Sequence, residues 1–347
     1  MTVVLCGGGT AGHVLPNVGL IEFLQKVYPN HELFYIAEKN GVEKEILKSL
    51  DINKKYIYCG KFRRYLSFKN LFDLFKIPLG VIQSLGYLLH INPSLIISKG
   101  GYVSVPVLVA GFLLRIPIIH HESDATISLT SKIAAKLATE IWVKYPDVII
   151  SPSKQKVVDL PIRSSVESAS ASDFPYISYL EKDKPTLLIM GGSLGAKVIN
   201  EFIRANLDII LEQFNVIQLT GLKQSEVENP KPGFIPLRFH KNIGEVYKNT
   251  QLFLGRAGAN TLDELNYFNI PAILVPLPLS SSRGEQFENA QRFIEQSSNG
   301  SSVINQTELT IEKFLEKVSK LNLNLEKEQK VAVKNQKIIS VLDKFLS

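Results

Sequence analysis

The sequence predicts an α/β protein built from two nucleotide-fold domains, with parallel sheets facing each other across a cleft. Three observations predict it. A glycine-rich turn, Gly7-Gly8-Gly9-Thr10-Ala11-Gly12-His13, is entered directly from the apolar run Val3-Val4-Leu5-Cys6. A similar turn, Gly191-Gly192-Ser193-Leu194-Gly195-Ala196, follows Leu187-Leu188-Ile189-Met190 in the other half of the chain. Between and after them, short β-branched runs alternate with longer helical patterns, as βαβ units require. A strand that ends in glycines and opens a helix aims backbone N–H groups at one point, which suits phosphate or another anion.

In the first half, strands are expected at Val3–Cys6, Leu33–Ala37, Lys55–Cys59, Leu95–Ser98, Ile116–His120 and Ile141–Lys144. Each is an apolar or β-branched run of strand length. The segments between them carry helical periodicity: Val14–Val27, Glu43–Leu50, Leu71–Leu89, Val103–Leu114 and Leu129–Ala138. The second half repeats the theme, with strands near Leu187–Met190, Val216–Thr220, Leu252–Leu254 and Ala272–Val275. Its helices are expected at Ala196–Gln213, Asn260–Asn269 and Gln286–Gln296. Pro152 to Lys184, rich in Ser, Pro and charge, has the composition of a linker. This sets the domains at 1–162 and 163–332, with a last helix (about Val333–Leu346) folding back onto the first domain.

A length of 347 residues allows each domain its own core. With 45% hydrophobic and 21% charged residues the chain is not disordered. The net charge of +6 points to an anionic partner, either a bilayer or a phosphorylated substrate. No nucleic-acid partner is expected, because the basic residues are scattered and no aromatic-interleaved basic run occurs. Cys6 and Cys59 sit in apolar runs and are expected as buried thiols rather than as a disulfide or metal pair. The N-terminus begins a strand and lacks the basic leader of a signal peptide. No run approaches the ~18 apolar residues of a spanning helix.

Gly7-x-Gly9-x-x-Gly12 also fits a dinucleotide fingerprint, with Glu38 available to a ribose hydroxyl. That reading leaves the second turn unexplained, and His13 would crowd a pyrophosphate. Further landmarks follow in order: Gly100-Gly101-Tyr102-Val103-Ser104, His121-Glu122-Ser123-Asp124 with Leu129-Thr130, and Pro161-Ile162-Arg163. The second half adds Arg256-Ala257-Gly258-Ala259-Asn260-Thr261-Leu262-Asp263-Glu264 and Arg283-Gly284-Glu285-Gln286-Phe287-Glu288-Asn289-Ala290. In this order and spacing, from about residue 3 to residue 300, the chain resembles the MurG family. These bacterial enzymes add N-acetylglucosamine to undecaprenyl-pyrophosphoryl-N-acetylmuramoyl-pentapeptide, converting lipid I to lipid II in peptidoglycan synthesis.

The resemblance implies two Rossmann-like domains in the GT-B glycosyltransferase architecture. The N-terminal domain would receive the lipid acceptor at the membrane, and the C-terminal domain UDP-GlcNAc. It implies that Ser193 binds the donor pyrophosphate, that Arg163 and the main chain near Phe239 and His240 hold the uracil, and that Glu264 accepts the ribose hydroxyls. Glu285 and Gln286 would contact the sugar, with Thr10, Ala11, Gly12 and Asp124 as further donor contacts. Gly12, His13, Tyr102, His121 and Glu122 would form the acceptor side. Two positions depart from the usual pattern: Asp124 stands where many members have Asn, and Ala11 replaces a glycine. The resemblance further implies a peripheral enzyme on the cytoplasmic face of the cell membrane, in contact with other cell-wall synthesis proteins.

The residues support the same chemistry on their own terms. Many sugar-nucleotide enzymes hold a metal with Asp-x-Asp, and none occurs here. A helix N-terminus opening at Gly195-Ala196 takes over the leaving-group charge, so no metal or other cofactor is expected. His13, at the start of a helix whose dipole favours neutral imidazole, is the candidate base for the acceptor hydroxyl. Its alternative role is a loop anchor, and the base would then be Glu122 or Asp124. Glu264 taken alone reads as a helix-capping residue, and Arg256, open to reading as a surface ion pair, is given no site role. Lys61-Phe62-Arg63-Arg64-Tyr65-Leu66 with Phe68-Lys69-Asn70-Leu71-Phe72 is either a surface for anionic lipid or a solvated basic loop. Competing functions on the same scaffold are a UDP-GlcNAc 2-epimerase, a glycosyltransferase acting on diacylglycerol or a natural product, and a non-catalytic UDP-sugar sensor.

Overall fold

The computed structural model describes the chain except residues 42, 61–67, 223–226, 281, 322, 324–335 and 347, and except the side chains of 49, 68–74 and 336. Two units divide it at Arg163: Met1–Arg163 with the C-terminal helix form the first, and the second begins at Ser164.

The first unit runs β1 (Thr2–Cys6), α1 (Ala11–Val27), β2 (Glu32–Glu38), α2 (Glu43–Ile46), β3 (Asn53–Ile57), α3 (Phe68–Ile91), β4 (Leu95–Ser98), α4 (Ser104–Leu113), β5 (Ile118–Glu122), α5 (Leu129–Leu137), β6 (Glu140–Val143) and β7 (Gln155–Val157). Its sheet has the order β3-β2-β1-β4-β5-β6-β7, all pairings parallel. Side chains alternate across a strand, so β1 feeds two cores. Val3 and Leu5 pack with Leu20, Leu24, Tyr35 and Trp142, whereas Val4 and Cys6 pack with Ile96, Val107 and Ile118. This two-sided burial explains why the strands are continuous apolar runs.

The second unit runs α6 (Ser164–Glu167), β8 (Thr186–Met190), α7 (Lys197–Gln213), β9 (Asn215–Leu219), β10 (Phe234–Leu237), α8 (Ile243–Lys248), β11 (Leu252–Gly255), α9 (Ala259–Tyr267), β12 (Ala272–Leu274), α10 (Glu285–Gln296), β13 (Ser302–Val303) and α11 (Ile311–Val318). Its sheet has the order β10-β9-β8-β11-β12-β13, again parallel. The last helix, α12 (Gln336–Leu346), belongs to the first unit. It buries Ile338, Val341, Leu342 and Leu346 in the α1 face of that core, and Tyr28 Oη donates to Asp343 Oδ1 at 2.6 Å.

Several elements differ from the sequence expectation for identifiable reasons. β5 starts at Ile118 rather than Ile116 because Pro117 has no N–H to give the ladder. His121 and Glu122 therefore lie inside the strand. β3 ends at Ile57, leaving Cys59 buried just beyond it. β10 escaped notice because Pro236 interrupts it; it is the edge strand of its sheet, where a missing donor is tolerated. β7 is a short polar edge strand with no apolar run to reveal it.

The segment 152–184 is not a linker in the flexible sense. Val166 and Phe174 are buried, and a Cβ on Gly244 of α8 would lie 2.7 Å from both Ala169 Cβ and Val166 O. The Ser/Ala-rich composition thus serves close packing against α8. Asn249 Nδ2 donates to Ala171 O at 2.9 Å across the same contact.

Trp142, the single tryptophan, is buried in the first unit and reports on its unfolding. Leu342→Ala should destabilise that unit by about 2–5 kcal/mol, the usual cost of truncating a buried leucine. Urea melts followed by Trp142 emission should show a lower midpoint, and an unchanged midpoint would mean that α12 does not stabilise this core.

Candidate functional site

Each sheet has its order reversed beside its first strand: β1 lies between β2 and β4, and β8 between β9 and β11. Ligands of open α/β sheets bind at such switch points, beyond the carboxyl ends of the strands. Both glycine turns sit there, directly after β1 and β8.

In the first unit the turn is tied down on every side. Tyr35 Oη donates to Gly7 O at 2.7 Å, and Asn17 Nδ2 supports both Tyr35 Oη (3.0 Å) and Cys6 O (3.2 Å). Gly8 N–H donates to Gly100 O at 3.2 Å, which joins the turn to the loop after β4. Gly9 N–H donates to the Glu43 carboxylate. The approach is close enough that a Cβ on Gly101, whose φ is +77°, would lie 2.0 Å from Gly8 O. Tyr102 covers Gly9 with its ring, and its hydroxyl donates to Glu38. Thr10 is the N-cap residue of α1, and its Oγ1 lies 3.0 Å from His13 Nδ1 in the first helical turn.

The His120–Asp124 stretch is mostly internal. His120 bridges Ser98 Oγ (3.0 Å from Nδ1) and Ser131 Oγ (2.8 Å from Nε2). Burial lowers its pKa from 6.5 to about 4, with the charges of Lys99 and His13 adding to the shift and Glu122 opposing it. His121 Nε2–H donates to Val158 O at 3.2 Å, and burial followed by Lys99 holds its pKa well below the usual value. Glu122 accepts from Asp124 N–H (3.1 Å), Ser128 N–H (3.1 Å) and Ser131 Oγ (2.7 Å). Burial alone would raise its pKa, but Lys99 and these donors outweigh it and the net shift is downward. Glu122 thus holds the 124–128 loop, while Asp124 itself is only half-buried.

The second unit's turn is more open. Gly195, with φ +82°, meets Gly221 so closely that a Cβ would lie 2.1 Å from Thr220 O. Gly195 N–H donates to Gly192 O at 2.9 Å, and Leu222 N–H to Ser193 O at 3.0 Å. Gly192, Ser193 and Leu194 are exposed. Helix α7 then starts behind Ala196, with no side-chain cap and no acidic residue in its first turn. Such a helix end favours an incoming anion.

Around it the other strand ends supply polar groups. Glu264 is buried in α9, beyond its first turn, so capping does not explain it; Tyr247 Oη donates to its Oε2 at 2.9 Å. His240 Nε2 lies 2.9 Å from Glu245 Oε2, with its ring edge-on to Phe174. Glu285 opens α10 after Gly284 (φ +83°) and accepts from Arg283 N–H at 2.8 Å, and Gln286 Oε1 accepts from Leu277 N–H at 3.2 Å. Arg256 is not a surface ion pair. It is buried, and its guanidinium donates to Val275 O (2.9 Å), Pro276 O (3.0 Å) and Gln306 Oε1 (2.6 Å).

The residues singled out for the donor divide between the units. Ser193, His240, Glu264, Glu285 and Gln286 belong to the second, whereas Thr10, Ala11, Gly12, Asp124 and Arg163 belong to the first. Arg163 is held there by Pro161-Ile162-Arg163 crossing α1 at Gly19, where a Cβ would lie 2.5 Å from Pro161 O. Among the described residues, no cluster of three or more His, Cys, Asp or Glu is placed to hold a metal ion. Glu43, Lys99, Ser131 and Tyr247 were not anticipated. Glu43, Lys99 and Tyr247 have partners distant in sequence, whereas Ser131 bonds to Ser128 and Glu122 nearby.

Two family models cover most of the chain: the glycosyltransferase family 28 N-terminal domain matches residues 3–143, and the glycosyltransferase family 28 C-terminal domain residues 186–344. The chain belongs to glycosyltransferase family 28. A Staphylococcus aureus (strain MRSA252) member named UDP-N-acetylglucosamine--N-acetylmuramyl-(pentapeptide) pyrophosphoryl-undecaprenol N-acetylglucosamine transferase is 37% identical over 324 residues, covering 92% of this chain and 90% of its own. A Clostridium botulinum (strain Loch Maree) protein of the same name is 37% identical over 327 residues, covering 93% and 91%. This family 28 chain is therefore an enzyme of the hexosyltransferase class and stands with the MurG proteins. Its fold is that of Acinetobacter baumannii MurG (TM-score 0.66, 23% identity, covering 92% of this chain and 89% of that one). It is shared with a Neisseria meningitidis UDP-GlcNAc 2-epimerase (TM-score 0.65, 13% identity, covering 99% and 100%).

The buried histidines make a stability prediction for this family 28 chain. His120 binds a proton near pH 6.5 when unfolded but only near 4 when folded, so the unfolded state takes up more protons between those values. The first unit should lose about 1.4 kcal/mol per pH unit from this group as pH falls through that window. Urea midpoints followed by Trp142 emission at several pH values should show the slope, and His120→Asn should flatten it. An identical slope in the variant would mean that His120 titrates normally.

Proposed function

We propose that this chain transfers N-acetylglucosamine from UDP-GlcNAc to the 4-hydroxyl of undecaprenyl-pyrophosphoryl-N-acetylmuramoyl-pentapeptide, converting lipid I to lipid II in peptidoglycan synthesis. The observation that carries the reading is its likeness, over more than nine-tenths of its length, to transferases of that name. The geometry supports roles for particular residues.

The second turn and the N-terminus of α7 take the donor diphosphate, with the Ser193 hydroxyl on a phosphate oxygen. Leaving-group charge then develops against fixed N–H dipoles, which need no reorganisation and no metal. Glu264, oriented by Tyr247, accepts the ribose hydroxyls. His240 flanks the uracil, and Glu285 and Gln286 contact the sugar.

On the acceptor side, Gly12 and Tyr102 line the approach, Glu122 acts through the 124–128 loop it holds, and His121 acts through its bond to Val158 O. His13 is the base. The base role requires the tautomer in which His13 Nδ1–H donates to Thr10 Oγ1, 3.0 Å away, and Nε2 carries the lone pair. Nε2 removes the acceptor proton as the hydroxyl attacks the anomeric carbon opposite the departing diphosphate. A single displacement inverts the α-linked donor to a β-linked product.

The acceptor is a lipid, and the first unit has a surface suited to it. Phe75, Leu79, Ile82 and Leu89 are exposed at helical spacing along α3. Phe112 and Leu113 are exposed at the end of α4, beside a cavity of about 300 Å³ lined by Arg115, Lys136 and Lys154. Apolar side chains rimmed by cations suit the cytoplasmic face of an anionic membrane, where the enzyme would be peripheral. No helix among the described residues is long and apolar enough to cross a membrane. The basic-aromatic segment from Lys61 to Leu66 lies outside the described residues, as do the side chains of Phe68 to Phe72.

Purified protein incubated with labelled UDP-GlcNAc and a short-chain lipid I analogue should form the β-linked disaccharide, with turnover retained in excess chelator. An N-acetylmannosamine product formed without acceptor would identify an epimerase instead. Loss of activity in chelator, restored by a divalent ion, would overturn the metal-free mechanism. His13→Ala should lower kcat by about 10²–10⁴ with little change in UDP affinity, as loss of a general base does. A near-normal kcat would reduce His13 to a loop anchor and direct attention to Asp124.

A further inference from the structure

The first glycine turn already holds an anion, and the anion is the protein's own. Glu43, the first residue of α2, is completely buried. Its Oε1 accepts from Gly9 N–H, and its Oε2 is buried with no hydrogen-bond partner. The carboxylate is clamped between two glycines: a Cβ on Gly8 would lie 1.8 Å from Oε1, and one on Gly41 would lie 1.6 Å from Oε2. Neither position admits a side chain while Glu43 stays where it is.

A buried carboxylate is costly, and desolvation raises the Glu43 pKa despite the backbone N–H groups of Glu43 itself and of Gly9. The fold keeps it nonetheless, at the place where a glycine turn would otherwise direct its N–H toward an external anion. Gly9 precedes Thr10, the N-cap residue of α1, whose hydroxyl bonds to His13 Nδ1. Tyr102 holds the same turn from the other side by stacking its ring on Gly9. A chain of contacts thus runs from the Glu43 carboxylate through Gly9 and Thr10 to the His13 ring.

We propose that Glu43 is a positioning residue for the transfer reaction: its carboxylate fills the anion seat of the first glycine turn and, through Gly9 and Thr10, sets the imidazole of His13. The inference rests on the transferase reading, in which His13 faces the acceptor hydroxyl. A carboxylate that merely filled space would be replaceable without effect on the chemical step. One that anchors the turn would alter kcat while leaving donor binding in the second unit alone.

The test uses the full-length protein with Glu43→Ala and the near-isosteric Glu43→Gln. Activity is measured with UDP-GlcNAc and a short-chain lipid I analogue, and the Gly9 amide is followed by ¹H–¹⁵N NMR. Glu43→Ala should lower kcat by roughly 10–100-fold with the donor KM nearly unchanged, the signature of lost preorganisation rather than lost binding. Formate, small enough for the vacated slot, should restore several-fold of the loss and return the Gly9 amide proton toward its downfield wild-type position. Glu43→Gln keeps an acceptor for Gly9 and should fall between the two, which also covers the case in which the alanine variant fails to fold.

Wild-type kcat in Glu43→Ala would overturn the proposal. So would a kcat loss in both variants that formate does not relieve, or a Gly9 amide that does not move in Glu43→Ala. If the wild-type protein makes no disaccharide, the transferase reading fails and the proposed role falls with it. The Gly9 shift then reports only whether the Glu43 contact exists.

Discussion

In a parallel sheet, a chain that lays its second and third strands on one side of the first and its fourth on the other sends the crossover helices after strands one and four to opposite faces of the sheet. The gap between those strand ends is then open to a ligand, with helix N-termini on its border. Both units obey this constraint, through β1 beside β4 and β8 beside β11. The positions of His13, Gly100 and Tyr102 in one unit, and of Ser193 and Glu264 in the other, follow from it. Without those two pairings the glycine turns would be ordinary loops.

Similar turns at equivalent places have unlike electrostatics. In the first, the N–H groups of Gly8 and Gly9 are spent on Gly100 O and Glu43, so the turn is rigid and already neutralised. In the second, exposed Gly192, Ser193 and Leu194 lead to a helix with no side-chain cap. Both turns lead to helices with no side-chain cap and no acidic residue in the first turn, so what sets them apart is the Glu43 carboxylate on Gly9 in the first and the exposure of residues 192–194 in the second. The proposed division of labour between base and leaving-group stabiliser builds on that difference.

Much of this was legible in the sequence because parallel sheets bury both strand faces and glycine turns punctuate them. The runs at Val3–Cys6 and Leu187–Met190 and the turns behind them needed no tertiary information. Elements whose signal is weak by physics escaped: edge strand β10 carries Pro236, and β7 is polar. The Ser-rich run near Ala169 had the composition of a linker, yet its small side chains serve contact with Gly244. At the site, His13, Ser193 and Glu264 were marked by their motifs. Glu43 was not, because its partner Gly9 is 34 residues away and the pairing exists only once β2 lies beside β1. The burial of Arg256 is hidden for the same reason, since its backbone acceptors are carbonyls beyond β12.

The assignment of the diphosphate to the second turn is open to direct measurement by calorimetric titration of UDP. Ser193→Ala and Glu264→Ala should each weaken binding by about 1–3 kcal/mol, the cost of losing a hydrogen-bonding group to a charged or buried partner. Glu43→Ala, in the turn that is already filled, should leave UDP affinity unchanged. Wild-type affinity in both second-unit variants, or a loss confined to the first turn, would contradict the division of roles between the two turns.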